Sequence, residues 1–484
     1  MGNAFVWSAI YPELLLLGLI LALLGLEAAF WPRRPAHNAG YLAVLGGLAA
    51  LSLALMEWQR GETIWAFHGM LVTDSYSTFA DIVLLGNAVL CILLSLQQPP
   101  RLGWNKGEFY ILLLLSTLGM MLMASAADLL VVFLGFILML VPLYPLAASA
   151  RDSVFASEAG IKFFVVGTLS GLLLLYGTGL VYGAAGTTQL QLIGNMLRDA
   201  QLQGNDLLLA GAVLVLLGVA CQLALVPFHM WAPDVYQGSP LPVTAFLATG
   251  PKIAAMVVLM RTISMAFTAL QEVWQPLVWV LALTTIIGGN LLALHQRSIK
   301  RMLAYVSIGH GGYALLGFAV VNPQGVTGTL FYLCAYALTS VGIFAVLNIY
   351  RREDEVTMEI RHYRGLATCH PVLALALAFL MLSLAGLPPT AGFVGKFYVL
   401  SAVLEGGYAG LALIAALSSL PAVYCCGKVV VAMYMQQADE DAPSALLAPE
   451  PLAVLLLAVL AVLLLGLAPD ALLNVVRSTV IAVV

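Results

Sequence analysis

Four lysines stand where lysine is costly. Lys162, Lys252, Lys396 and Lys428 lie within or at the edge of long apolar runs, whereas the other sixteen of the twenty Lys and Arg residues occupy the polar joints. A charge at the centre of a bilayer costs about 3 kcal/mol or more unless it is paired or hydrated. Lys162 and Lys428 sit near predicted helix ends, so both snorkelling to the interface and a buried role stay open for them. Apolar sequence flanks Lys252 and Lys396 on both sides, which favours a buried role. Each follows a helix that looks broken. Pro227 interrupts the apolar residues 220–231, and Gly386, Pro388, Pro389 and Gly392 interrupt residues 382–393. Proline removes a backbone donor and frees a carbonyl. Inside a membrane such a break is tolerated where it is buried or lines a water-filled cavity. One break reads as a packing kink; two, each followed by a buried lysine, point to a transport path at mid-depth. Around them lie His229, Asp234, His310, Thr339, Ser340 and Ser383. His310 either passes protons near neutral pH or serves as a hydrogen-bonded structural group. Glu158 and Lys162 are four residues apart, so they can pair on one helical face, in the path or at the membrane edge.

The elements that carry these residues follow from composition. Of 484 residues, 62% are hydrophobic and 9% charged, with a mean hydropathy of +0.99. Soluble domains are roughly 45–50% apolar and about 25% charged. These values exclude a soluble globule and a disordered chain, and imply an all-α polytopic membrane protein. The apolar runs predict about fourteen helices, at 9–31, 40–57, 76–96, 108–124, 128–148, 159–183, 206–227, 240–263, 273–294, 301–320, 325–350, 371–400, 408–435 and 450–468. The runs are too long and too uniform for strands. Residues 1–8 contain no Lys or Arg, so the first run reads as a permanent helix rather than a cleaved signal.

The chemistry is narrowed by what the chain lacks. It has no catalytic triad motif, no glycine-rich phosphate loop and no CxxC pair, and five of its six cysteines lie in apolar runs. This favours an ion conductor over an enzyme active site, and gives no sign of a nucleotide, haem, metal or iron–sulfur site. The net charge of −4 is silent about partners, and no basic patch suits nucleic acid. Lys and Arg number twelve in the odd-numbered loops, among them Arg33, Arg34, Arg101, Lys300 and Arg352. They number four in the even-numbered loops and the C-terminal segment: Arg60, Arg198, Arg261 and Arg477. This bias predicts cytoplasmic odd loops and both termini outside. Residues 351–365 form a mixed-charge joint that reads as solvated and possible subunit contact, and 439–441 form an acidic loop without an assigned role.

Three stretches carry a resemblance. Residues 225–254 (LVPFHMWAPDVYQGSPLPVTAFLATGPKIA), 290–313 (with IKRMLAYVSIGH at 299–310) and 386–400 (GLPPTAGFVGKFYVL) resemble the antiporter-like subunits of respiratory complex I. The DVYQG and GKFYVL segments are most similar to the subunit N type of the bacterial proton-translocating NADH–quinone oxidoreductase. The likeness runs from about the fourth to the thirteenth predicted helix. It implies fourteen transmembrane helices, with two inverted five-helix repeats that each contain one broken helix. The divisions are 1–107, 108–264, 265–435 and 436–484. It implies a bacterial inner-membrane location beside other membrane-arm subunits, including other antiporter-like ones. It implies proton translocation driven by electron transfer elsewhere, with no cofactor here and NADH, FMN, iron–sulfur clusters and quinone in other subunits. Lys252 matches the family's central-axis lysine of helix eight, Lys396 the lysine after the break in helix twelve, Lys162 the helix-six lysine and His310 a polar-axis histidine of helix ten.

Two positions depart from the pattern. The family places a glutamate in helix five, within Phe-Leu-Gly-x-Glu-Leu; residues 133–138 read FLGFIL, with Ile137 at that place. The family places a lysine five residues before the helix-seven proline; here it is Gln222. Losing one partner of a buried pair strands a charge at about 3–5 kcal/mol, whereas losing both removes that penalty. Two expectations follow. In the first, protons pass through Lys252, His310 and Lys396, with Gln222 and water bridging the first half and with Lys162, His229 and Glu158 also in the path. In the second, the subunit no longer pumps and is structural. A Mrp-type Na+/H+ antiporter subunit, or a subunit of a membrane-bound hydrogenase or ferredoxin-linked complex, is the alternative reading of the shared pattern.

Overall fold

The computed structural model describes residues 6–29, 37–96, 104, 106–199, 201–202, 204–351, 358–437, 445 and 447–480. The first helices are α1 (Tyr11–Ala29), α2 (His37–Arg60), α3 (Ser75–Ser95), α4 (Gly107–Ser125), α5 (Leu129–Ala147), α6 (Val154–Ala185) and α7 (Leu190–Arg198). The middle of the chain forms α8 (Asp206–Gln222), α9 (Trp231–Gly238), α10 (Leu241–Thr262), α11 (Gln271–Leu294), α12 (Ile299–Phe318) and α13 (Pro323–Ile349). The last are α14 (Leu366–Cys369), α15 (Pro371–Ala385), α16 (Ala391–Glu405), α17 (Ala409–Leu417), α18 (Leu420–Met435), α19 (Pro449–Leu467) and α20 (Asp470–Val480). Among the described residues, ten helical stretches are long and apolar enough to cross a membrane. Long apolar helices satisfy their own backbone, which lipid cannot do.

Three predicted spans are interrupted. The helix expected over 206–227 ends at Gln222, that over 371–400 breaks between Ala385 and Ala391, and that over 408–435 divides at 418–419. Two amphipathic helices, α7 and α20, were not expected. In α7 the buried residues Leu190, Ile193, Gly194 and Leu197 repeat at helical spacing, so one face packs and the other stays polar. One expectation is corrected. Strands do occur, as an antiparallel pair β1 (Ile64–Ala66) and β2 (Leu71–Thr73). They form in the joint between α2 and α3, outside the long runs from which their absence was inferred. Left-handed Phe67, His68 and Gly69 make the turn, and the Thr73 hydroxyl anchors the hairpin by donating to the Ala9 carbonyl at 2.5 Å.

The helices approach closely where side chains are small. A Cβ on Gly177 of α6 would meet the Gly211 carbonyl of α8 at 2.8 Å. Small residues at such crossings let membrane helices pack where apolar burial gives no advantage over lipid.

Three cations assigned to loops, Arg261, Lys300 and Arg351, are held inside the protein. Arg261 lies in the last turn of α10, which runs on through a π-turn instead of opening into a loop. Its guanidinium donates to Asp74 Oδ1 at 2.6 Å and lies 5.1 Å from the centre of the Tyr76 ring. Lys300 opens α12 and donates to the Ser239 and Gln237 carbonyls at 2.6 and 3.0 Å. Both short joints fold back onto neighbouring helix ends, where partners replace water. Arg33, Arg34, Arg101, Arg352, the acidic loop 439–441 and residues 352–357 of the mixed-charge joint lie outside the described residues.

Replacing Arg261 by Met is expected to strand the buried Asp74 carboxylate and destabilise the fold by about 3–5 kcal/mol. Adding Asp74→Asn should recover most of that loss, because Asn keeps the cap on the Ser77 amide. Thermal unfolding of the two variants in detergent measures the difference.

Candidate functional site

The first break turns the chain between α8 and α9. Ala224 adopts a left-handed conformation, the Val226 amide donates to Thr285 Oγ1 at 2.9 Å, and the Trp231 indole donates to the Cys221 carbonyl at 3.2 Å. Pro227 faces outward. Beyond the break, α10 carries Lys252, which is 3% exposed. Its ammonium donates to the Ser307 carbonyl at 2.8 Å and to the Ser307 hydroxyl. Ser307 is a hub. Its Oγ accepts from Tyr336 OH at 2.6 Å and lies 3.3 Å from Tyr236 OH.

One turn along α12, three residues on, is His310, on the same face as Ser307. Its Nδ1 and Tyr332 OH are 2.5 Å apart, and its ring centre is 5.0 Å from that of Tyr336. The ring also faces the Leu384 carbonyl and lies within electrostatic range of both Lys252 and Lys396. Leu384 belongs to the second break. There Gly386 takes φ +82° and ends α15, while Pro388 and Pro389 lie outward. The freed carbonyls of Ala385 and Leu384 turn inward to Lys396, 2.9 and 3.5 Å from its ammonium. The same ammonium lies 5.2 Å from the centre of the Tyr313 ring. Thr339 and Ser383 hydroxyls meet at 3.0 Å, and Ser383 accepts from the Gly392 amide at 3.3 Å, which joins the two sides of the break.

Neither Lys252 nor Lys396 has a carboxylate within ion-pair distance among the described residues. Both are held by neutral oxygens. Such a lysine bears its charge at a cost of several kcal/mol, so it can exchange a proton with a neighbour without breaking an ion pair. Hydroxyls and imidazole both donate and accept, as a relay requires.

The structure separates the remaining candidates from this line. Lys162 has 41% of its side chain exposed. It contacts Glu158 Oε1 and Asp234 Oδ2, both at 2.5 Å, and Asp234 Oδ1 takes Arg301 at 2.6 Å. This is a neutral four-residue network across α6, α9 and α12, and α9 also carries Tyr236 to Ser307. Gln222 and His229 are buried near the first break, and Gln222 Nε2 and His229 Nδ1 have no partner among the described residues. Ile137 of α5 is half-buried, with its Cδ1 beside Gly171 of α6. Lys428 is exposed on α18 and donates to the Gln296 carbonyl at 3.4 Å. Sequence reasoning missed Ser307, Tyr236, Tyr313, Tyr332, Tyr336 and Arg301. Their signal is spacing: 307 and 310, and 332, 336, 339 and 340, place polar groups on one face of otherwise apolar helices.

The sequence pattern of the NADH:quinone oxidoreductase/Mrp antiporter transmembrane region matches residues 126–422. The chain belongs to that antiporter family. NADH-quinone oxidoreductase subunit N of Trichlorobacter lovleyi is 42% identical over 434 residues, covering 90% of this chain and 88% of the relative. The subunit N of Rhodospirillum rubrum is 41% identical over 89% of this chain and 88% of its own. Among solved structures, a chain of respiratory complex I from Thermus thermophilus with bound aureothin superposes with a TM-score of 0.82 at 32% identity, covering 97% of this chain and 100% of that one. A chain of the Mrp complex from Dietzia superposes with a TM-score of 0.87 at 20% identity, over 99% and 98% of the two chains, which is a likeness of fold. The antiporter family thus accommodates this fold at low identity, and the higher identities fall on subunit N.

A side chain at 386 has no room, since a Cβ would stand 2.6 Å from Lys396 Cδ and the backbone is left-handed. Gly386→Ala is expected to cost about 1–2 kcal/mol from conformation alone and to displace Lys396. Thermal unfolding reads the first effect, and proton translocation by the assembled complex the second.

Proposed function

We propose that this chain is the subunit N of a bacterial NADH–quinone oxidoreductase, an antiporter-like member of its membrane arm, and that it conducts protons along Lys252, Ser307, Tyr336, His310 and Lys396, with the Leu384 carbonyl holding the Lys396 ammonium in place. The observation that carries this reading is a pair of buried lysines held only by neutral oxygens, with a histidine within electrostatic range of both. Redox chemistry belongs to the partner subunits, which would carry NADH, FMN, iron–sulfur clusters and quinone. The subunit N identity of relatives at about 40% over most of the chain supports these partners over a Mrp-type antiporter or a hydrogenase-type complex.

Fourteen membrane crossings fit this reading if α8 with α9, α12, and α15 with α16 are counted with the longer helices and α10 and α11 are counted separately. Helices over 108–264 and 265–435 would then be the two inverted repeats, each with one break, flanked by 1–107 and 436–484. The surplus of cations in odd-numbered loops supports a bacterial inner-membrane protein with both termini on the periplasmic side. Glu158 and Lys162 would stand at the mouth of the path rather than within it, linked inward through Asp234, α9 and Tyr236. Gln222 and His229 would order water in the first half, where Ile137 and Gln222 supply no charge pair. Neutral glutamine can hold a water chain but cannot store a proton.

Lys396→Met and Lys252→Met in the assembled complex test the path. Each exchanges an unpaired buried ammonium for an apolar chain of similar volume, so stability is expected to be kept or to rise. NADH-driven proton pumping in inverted membrane vesicles is expected to fall, with fewer protons moved per electron. An assembled Lys396→Met complex with an unchanged ratio would overturn conduction and leave a structural subunit. The complementary variant, Ile137→Glu with Gln222→Lys, is expected to assemble, whereas Ile137→Glu alone should lose about 3–5 kcal/mol by stranding a buried carboxylate. Complex yield and unfolding temperature distinguish the two.

A further inference from the structure

The first three helices carry a second group of buried charges, apart from the line of Lys252 and Lys396. Glu13 of α1 and Asp81 of α3 are 4% and 3% exposed, and Glu57 of α2 is half-buried. The three carboxylates lie within electrostatic range of one another. The packing that gathers them is visible at the hairpin end of these helices. Thr73 is bonded to the Ala9 carbonyl, and the Trp58 and Phe79 rings lie 6.3 Å apart, which ties α1 and α2 to α3.

The facing charges do not neutralise this group. Arg261 of α10 acts on Asp81 but is already paired with Asp74, whose own charge adds to the repulsion. Arg60 acts on Glu57. A separate observation concerns hydrogen bonding. Glu13 Oε2, Glu57 Oε1 and Asp81 Oδ1 are each shut off from solvent and have no hydrogen-bond partner among the described residues. Bare buried oxygens are rare in folded proteins and call for a missing proton, water or ion. Like carboxylates at one site cannot all ionise. Among the described residues no group of His, Cys, Asp and Glu is arranged to hold a metal ion. Protons answer the first demand directly, since a protonated carboxyl loses its charge and gains a donor of its own.

We propose that Glu13, Glu57 and Asp81 form a second titratable site that holds protons on these buried carboxyl groups and exchanges them with the membrane face bearing the β1–β2 hairpin. Asp81 follows Asp74, the cap of α3, by seven residues, about 10 Å along the helix. The site is therefore inside the span but within reach of that face.

Dicyclohexylcarbodiimide tests it, because this lipid-soluble reagent modifies protonated carboxyl groups in apolar surroundings. The whole complex in native membranes is labelled between about pH 6 and about pH 9, a range in which an ordinary carboxylate is ionised. The adducts on this chain are then mapped by mass spectrometry. Adducts on Glu13, Glu57 or Asp81 at about pH 7 that fall several-fold by about pH 9 are expected. In the Glu13→Gln variant, one fewer negative charge presses a proton onto Asp81, so its adduct at the lower pH should fall several-fold. Glu57→Gln gives a second such comparison if the first variant does not assemble. No adduct on any of the three at any pH, or an Asp81 adduct unchanged by both substitutions, overturns the proposal. The readout is labelling rather than pumping, so its failure is distinct from failure of the Lys396 path.

Discussion

The interior of a bilayer offers no water, so every buried polar group must find its partner within the protein. This constraint shapes the whole chain. It forces long helices that close their own hydrogen bonds, and it makes each interruption a decision about where the freed carbonyls go. At the second break the prolines face outward while the Leu384 and Ala385 carbonyls turn inward. The defect in the helix thereby becomes the seat of an ammonium group. Gly386 is the hinge of that arrangement, because its left-handed backbone and absent Cβ leave the space that Lys396 fills.

The two lysines meet the same constraint by different means. Lys396 is held by backbone released at a break. Lys252 lies within an unbroken helix and is held by the carbonyl and hydroxyl of Ser307 on its neighbour α12. Ser307 also accepts a hydrogen bond from Tyr336, so the lysine, the serine and the tyrosine form one polar group. His310 then lies one turn further along α12, facing the Leu384 carbonyl that Lys396 also approaches. The line from one lysine to the other therefore crosses from α10 to α12 and α13 and ends at the second break. Its members come from separate helices, so helix packing and not local sequence sets its continuity.

Much of this was legible in the sequence because charge is scarce there. With 9% charged residues, Lys252 and Lys396 stood out against apolar flanks, and Pro227, Gly386, Pro388 and Pro389 marked the breaks. The hydroxyl contacts around Lys252 were not legible. Ser307 and Tyr336 have ordinary side chains for a buried helix, and their role arises only when α12 and α13 meet α10. Arg261 and Lys300 misled for the opposite reason. They sit at predicted joints, but those joints fold back on neighbouring helix ends and supply partners. The hairpin at β1 and β2 is too short to leave a periodic pattern. Lys162 was correctly paired with Glu158 by spacing, but spacing could not show that Asp234 and Arg301 complete the network.

The place of Ile137 and Gln222 follows from the same accounting. A lysine at 222 would have needed a partner across the bundle, and a glutamate at 137 would have needed one in return. With both neutral, neither helix carries an uncompensated buried charge among the described residues, and α5 can pack Ile137 against Gly171 as an apolar contact. The cost is confined to one buried amide nitrogen of Gln222 without a protein partner. A lone unsatisfied donor costs about 1–3 kcal/mol, less than a stranded charge, and a single water beside it suffices to remove that cost. The first half of the chain can therefore keep its fold without the pair. On that side α9 still carries Tyr236, whose hydroxyl lies 3.3 Å from the Ser307 hydroxyl that also contacts Lys252.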